Sequence, residues 1–169
     1  VLSNSILVVD DDQAHRGMLR TMLRSWGYAV SEAADGDEAL NLVRERAFDA
    51  VLTDVRMARM DGIHTLKSVL EYNPALPVVL MTAYSSVETA VEALRLGAYD
   101  YLVKPLDFEI LRHTLRQAIE HSRLSVENRE LRRQLSEAAA RPGILGRSPA
   151  MLAMQETIAT VAPTEATVL

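Results

Sequence analysis

The sequence predicts an α/β domain built on a doubly wound, five-stranded parallel sheet, followed by a long helical, coiled-coil linker. Three observations lead there. Short apolar runs alternate with amphipathic stretches five times before about residue 108. The connections between them are short, which suits right-handed βαβ crossovers and a sheet covered on both faces. From Phe108 to about Ala140 there is then neither proline nor glycine.

The elements follow in order. Ile6-Leu7-Val8-Val9 reads as a buried strand. A helix runs from about Gln13 to Trp26, with Met18, Leu19, Met22, Leu23 and Trp26 on one face and Gly27 just past its end. Tyr28 to Ala33 is a weaker strand. Asp37 to Arg46 is a helix that turns Ala39, Leu40 and Val43 inward. Ala50-Val51-Leu52-Thr53 is the third strand, and the helix Ile63 to Tyr72 stops before Pro74. Val78-Val79-Leu80-Met81 is the fourth strand, and the helix Ser86 to Leu96 is closed by Gly97. Tyr101-Leu102-Val103 is the fifth strand, and another helix begins near Phe108. Strand order is not readable from the sequence, but a flavodoxin-like 2-1-3-4-5 order suits these elements. In such a sheet the reactive site lies at the carboxyl ends of the strands, beside the switch point.

Composition bounds the function. With 169 residues, 49% of them hydrophobic and 24% charged, the chain has room for one ordinary domain and an extension. No apolar run reaches the eighteen or so residues that a membrane helix needs. Val1-Leu2-Ser3-Asn4-Ser5 lacks the basic and apolar regions of a signal peptide. The absence of cysteine excludes disulfides and thiolate metal sites and suits the cytoplasm. A net charge of −5 argues against nucleic-acid binding by this segment.

The chemistry gathers at strand ends. Asp10, Asp11 and Asp12 follow the first strand, and Asp54 follows the third. Those strands are neighbours in a doubly wound sheet, so the carboxylates open on one edge and repel. A divalent cation keeps them ionised, and sparse oxygen donors favour Mg²⁺. Thr82 follows the fourth strand and Lys104 the fifth, adding a hydroxyl and an ammonium. Together these make a phosphoryl-binding set. Taken singly, a strand-end Asp also begins turns, Thr82 also caps, and Lys104 is also an ordinary solvated lysine. The match at all four strand ends favours the chemical reading.

Val8-Val9-Asp10-Asp11-Asp12, Asp54-Val55-Arg56-Met57-Ala58-Arg59-Met60-Asp61-Gly62, Met81-Thr82-Ala83 and Tyr101-Leu102-Val103-Lys104-Pro105 resemble the CheY-like receiver domains of two-component response regulators. The resemblance covers about Ser5 to His121, within a receiver domain placed at 4–121. It implies that Asp54 is the phosphoacceptor, taking a phosphoryl group from the phosphohistidine of a sensor histidine kinase. It implies that Asp10 and Asp11 hold Mg²⁺, with Asp11 and Asp54 as direct ligands and the Arg56 carbonyl as a third. Asp12 is a bystander or acts through water. Lys104 pairs with the phosphoryl oxygens, Thr82 moves to bond one of them, and Tyr101 follows Thr82 inward. Arg56 and Tyr84 tune the access of hydrolytic water, and Lys104-Pro105 is often cis in the family. The departure is Ala58, where the family usually carries proline. Proline stiffens a loop by fixing φ, so its loss is expected to loosen this one while removing no ligand. Gly62 is assigned a structural role, in a tight turn or at a helix start. His15, His64, His113 and His121 show no metal spacing and read as satisfied surface histidines.

Within the helix over 108–140, Ile119, Ser122 and Val126 form one short apolar run, and Leu124, Asn128, Leu131, Leu135 and Ala138 form another with 4-3-4-3 spacing. The register shift between them is what a stutter produces. These positions read as a short dimeric coiled coil, with Asn128 as its polar registry residue; a single solvated helix is the alternative. Arg141-Pro142-Gly143 breaks the helix, and a new amphipathic helix spans Pro149 to Thr160. Residues 144–169 resemble the opening of the AAA+ domain of sigma-54-dependent activators of the NtrC type. That likeness implies a chain cut at a domain boundary, and homodimers that form higher oligomers in the full-length protein. It also implies contacts with sigma-54 RNA polymerase and DNA made only through absent domains. No G-x-x-x-x-G-K-[ST] occurs, so neither ATP hydrolysis nor enzyme activity beyond the domain's own phosphotransfer is expected.

Two rival readings are a haloacid-dehalogenase-like phosphatase, using Asp10 and Asp12 as its D-x-D pair, and an inactive pseudo-receiver serving as a dimerisation module. The motif around Asp54 and the Lys104-Pro105 pair weigh against the first. The presence of all the site residues weighs against the second.

Overall fold

The computed structural model describes residues 4–58, 60–83, 87–139 and 148–161. Five strands, β1 (Ser5–Val9), β2 (Ala29–Ala33), β3 (Ala50–Asp54), β4 (Val78–Thr82) and β5 (Asp100–Val103), form one parallel sheet in the order β2-β1-β3-β4-β5. This is the flavodoxin-like order that the sequence suited. The helices are α1 (Gln13–Ser25), α2 (Gly36–Glu45), α3 (Gly62–Tyr72), α4 (Val87–Arg95), α5 (Phe108–Ala139) and α6 (Pro149–Val161). From β1 the chain runs to one edge at β2, then returns past β1 to β3. The carboxyl ends of β1 and β3 therefore lie side by side at the reversal, where open α/β sheets bind ligands.

The alternation of the strands builds two apolar layers. Leu7, Val9, Val51 and Leu80 face Leu40 of α2 and Leu66 and Val69 of α3. Ile6, Val8, Leu52 and Met81 face Leu19 and Leu23 of α1 and Leu111 and Leu115 of α5. The central strands β3 and β4 are buried at every position, which is why they read as unbroken apolar runs. Met18, assigned to the inner face of α1, is instead 43% exposed. Leu19 and Leu23, one turn apart, fill the contact, and the packed stripe is narrower than the sequence reading.

Caps fix the helix starts on the functional edge. Asp12, Asp35 and Asp61 accept amide hydrogen bonds at the starts of α1, α2 and α3. Gly62 does not adopt a positive φ. Its need is space: a Cβ there would stand 2.1 Å from the Asp54 carbonyl oxygen and 2.8 Å from the Val55 Cα. The first turn of α3 thus lies directly on the backbone that carries Asp54, and the Gly62 N–H bonds the Val55 carbonyl at 2.9 Å.

α5 is continuous over 32 residues. The chain divides into two compact units, Val1–Glu127 and Asn128–Leu169. In the first, Leu111, Leu115, Ala118 and Ile119 are buried, and the Ser122 hydroxyl donates to the Ala75 carbonyl at 2.6 Å. The assignment of Ile119 to a coiled-coil seam is therefore corrected: it is 8% exposed and belongs to the core packed on the sheet. Farther along, Leu124, Val126, Leu131 and Leu135 are 50–71% exposed, and Asn128 is exposed. In the second unit, Leu152 and Met154 of α6 are exposed. Residues 140–147 and 162–169, which include part of the AAA+ likeness, lie outside the described residues.

Substituting Gly62→Ala forces backbone apart rather than a side chain, so it is expected to lower stability by about 1–3 kcal/mol, as overpacking does. Urea unfolding of the two proteins measures it; equal midpoints would refute the close approach.

Candidate functional site

The site assembles on four strand ends. Asp54 is the last residue of β3 and Thr82 the last of β4. Asp10 and Lys104 follow β1 and β5 directly. The Lys104 ammonium crosses the edge and donates to Asp54 Oδ2 at 2.5 Å and to Asp10 Oδ2 at 3.0 Å. Its backbone N–H donates to the Thr82 carbonyl at 2.6 Å, which fixes the lysine and the threonine as neighbours. The Lys104-Pro105 peptide is cis.

The two carboxylates on Lys104 differ in access. The Asp10 side chain is 1% exposed and that of Asp54 is 12%. Asp10 Oδ1 accepts the Asp12 N–H at 2.9 Å, and His15 Nδ1 lies 2.6 Å from Oδ2. Burial, the largest single influence on Asp10, pushes its pKa up. The combined hydrogen bonds from His15, Asp12 and Lys104 outweigh it and hold the carboxyl down at about 2. Burial likewise pushes the Lys104 ammonium down, and the Asp54 and Asp10 carboxylates more than reverse this, raising its pKa. Asp54 has one oxygen on Lys104 and the other, Oδ1, accepting the Arg56 N–H at 3.0 Å. Asp54 is thus oriented at both oxygens, and it is the more exposed of the pair.

Asp11 is exposed, and its Oδ2 accepts the Ala58 N–H at 3.0 Å. The loop after β3 is therefore tied to the end of β1 at Ala58. Asp12 is a helix cap whose Oδ1 accepts the Ala14 and His15 amides at 2.8 and 3.2 Å. That employment counts against a D-x-D phosphatase reading. Arg56 is exposed, and Tyr84 lies outside the described residues. The Tyr101 ring is partly buried against the core and borders a cavity of about 310 Å³ with Val103, Pro105 and Ile110.

His15 is the residue that sequence reasoning missed. It was read as a surface histidine, yet it meets Asp10 and stands 3.3 Å from the Lys104 ammonium. The signal was present: Asp12 as N-cap places residue 15 in the first helical turn, above the end of β1. His64, by contrast, remains outside the site on the Asp61 cap, at 2.9 Å.

Among the described residues, no three carboxylate or imidazole groups already stand close enough to hold a metal ion. The donor set nevertheless fits Mg²⁺. That ion takes one or two carboxylates with waters, and here Asp10, Asp11 and Asp54 offer hard oxygens at adjoining strand ends while two of them share a single ammonium.

Comparisons with known proteins agree with this fold. The profile of the response regulator receiver domain matches residues 6–128. The transcriptional regulatory protein ZraR of Salmonella typhimurium is 55% identical over 165 residues, 97% of this chain but 36% of that protein. The crystal structure of NtrX from Brucella abortus superposes with a TM-score of 0.73 at 34% identity, over 96% of this chain and 36% of that one. The solution structure of the beryllofluoride-activated NtrC4 receiver domain dimer matches 70% of this chain and 98% of that one, with a TM-score of 0.67 at 33% identity. The chain thus spans about a third of the length of the curated relatives it matches. No helix among the described residues is long and apolar enough to cross a membrane.

The acid limb of stability carries a sign. The folded pKa of Asp10, about 2, lies below its ordinary 3.8, so its contribution of about 2 kcal/mol is present above the ordinary value and is lost as pH falls through the folded one. In metal-free buffer, Asp10→Asn should lose stability less steeply than the unmutated chain between about pH 4 and pH 2. Urea unfolding across that range reads it, and parallel acid limbs would refute it.

Proposed function

This chain belongs to the response regulator receiver family, and we propose that Asp54 is its phosphoacceptor, charged by the phosphohistidine of a sensor histidine kinase. The observation that carries this is the Asp54 carboxylate: partly open, held on the Lys104 ammonium at 2.5 Å, and flanked by Thr82 on the adjoining strand. A carboxylate oxygen forms a bond to phosphorus as the bond from phosphorus to the imidazole nitrogen breaks. With the other ring nitrogen protonated, the imidazole takes the electron pair and leaves neutral. In-line transfer of this kind needs positioning and charge neutralisation more than covalent help. Lys104 supplies a positive charge already at the acceptor, and the Thr82 hydroxyl supplies a donor at the next strand end. Asp10, Asp11, Asp54 and the Arg56 carbonyl would hold Mg²⁺, which neutralises phosphoryl oxygens when bound. By the family resemblance, Arg56 and Tyr84 tune the access of hydrolytic water.

The signal leaves through packing. A phosphoryl group on Asp54 draws Lys104 away from Asp10 and recruits Thr82, and Tyr101 follows into the space vacated. The surface beyond is apolar and open: Val87, Val91, Leu94 and Val103 are 40–74% exposed. We read this α4–β5 face as the output surface. Self-association runs on along α5, where Val126, Leu131 and Leu135 offer apolar positions and Asn128 sets register. In the whole protein, placed in the cytoplasm, residues 144–169 lead into an AAA+ module. Dimers there build the oligomer that acts on sigma-54 polymerase at DNA. Shared sequence along 97% of this chain with ZraR supports that placement.

Incubation with Mg²⁺ and acetyl phosphate should add one phosphoryl group, about 80 Da, to the unmutated protein and none to Asp54→Ala. Intact mass decides it, and an adduct on Asp54→Ala would overturn the assignment. The double substitution Leu131→Asp with Leu135→Asp should keep the adduct yet weaken self-association about tenfold or more, since each carboxylate would be buried in an apolar seam. Sedimentation equilibrium measures that; unchanged association would leave α5 a solvated single helix.

A further inference from the structure

We propose that the main-chain N–H of Ala58 is a positioning group for the metal ligand Asp11. The inference deepens the Mg²⁺ reading above and rests on it. Asp11 lies on the exposed rim of the site, and Asp10 and Asp54 are packed against Lys104. A carboxylate on two free rotors at an exposed position loses conformational entropy when it takes a metal. The Ala58 N–H, 3.0 Å from Asp11 Oδ2, restrains those rotors in advance and leaves Oδ1 unengaged by that bond. Hydrogen bonds from behind a metal-bound carboxylate orient it and raise affinity. The bond also spans 47 residues of sequence, from the end of β1 to the loop after β3. One contact therefore sets both a ligand and the loop that begins at the acceptor.

The residue type matters for a chemical reason. Proline at 58 has no N–H to give, however well it stiffens the loop. Alanine supplies the donor and forgoes the stiffness. The two residues are alternative ways of ordering the same loop, and only one of them reaches Asp11. Gly62 anchors the far end of that loop on the Asp54 backbone, so the segment between is held at both ends.

The test uses the whole chain. Amide hydrogen exchange of Ala58, read by NMR, should be slowed about tenfold or more relative to an open peptide, both without Mg²⁺ and at saturating Mg²⁺. Asp11→Ala should abolish that protection. Calorimetric titration with Mg²⁺ should show Ala58→Gly binding within about twofold of the unmutated chain and Ala58→Pro binding about tenfold more weakly. An unprotected Ala58 amide, loss of its protection when Mg²⁺ binds, or equal or tighter Mg²⁺ binding by a folded Ala58→Pro would each overturn the proposal alone. If Ala58→Pro does not fold, the exchange rates with and without Asp11 still decide. Absence of Mg²⁺ uptake by the unmutated chain would instead overturn the metal reading and this inference with it.

Discussion

Two carboxylates that share one ammonium set the constraint around which this domain is arranged. Asp10 and Asp54 end adjoining strands, and without a cation between them each would be destabilised by the other. Lys104 stands 2.5 Å from one and 3.0 Å from the other. It reaches them only because β5 lies two strands from β3 in the same parallel sheet, with every carboxyl end on one edge. The sheet order is therefore a condition of the electrostatics. The arrangement is also primed for change: whatever adds negative charge at Asp54 competes for the same ammonium.

Around that centre the carboxylates have separate employments. Asp12 caps the start of a helix, Asp10 is sealed beneath His15 and Lys104, Asp11 waits at the rim on the Ala58 amide, and Asp54 keeps 12% of its side chain exposed. Identical side chains thus acquire different chemistry through burial and partners alone. Asp54, the acceptor proposed above, combines a charged partner with more exposure than Asp10. Support comes from backbone, since Gly62 brings α3 to within bonding distance of the strand that carries Asp54.

Legibility varied with the range of the interaction. Unbroken apolar runs exposed β3 and β4 because both faces of those strands are buried. Asp54, Thr82 and Lys104 were visible because strand ends are local features and their side-chain chemistry is distinctive. Met18 was misplaced because helical periodicity gives the direction of a face and not its width. Ile119 was misread because a heptad position and a core position carry the same residue type; only the presence of Leu111 and Leu115 beside it on the sheet decides between them. His15 escaped because a histidine has no fixed meaning until its neighbours are known.

The sequence by itself determined the element types, the doubly wound class and the chemical identity of the strand ends. Each follows from periodicity or from residue type within a few positions. Tertiary structure alone decided which carboxylate is sealed and which is open, and that Lys104 bridges Asp10 and Asp54. It alone showed that His15 joins the site and that the Ala58 amide holds Asp11. Apart from the local meeting of His15 with Asp10, these contacts join segments 47 to 94 residues apart. Only closure of the sheet brings such segments together, because burial and Coulomb interaction depend on distance in space and not on position along the chain.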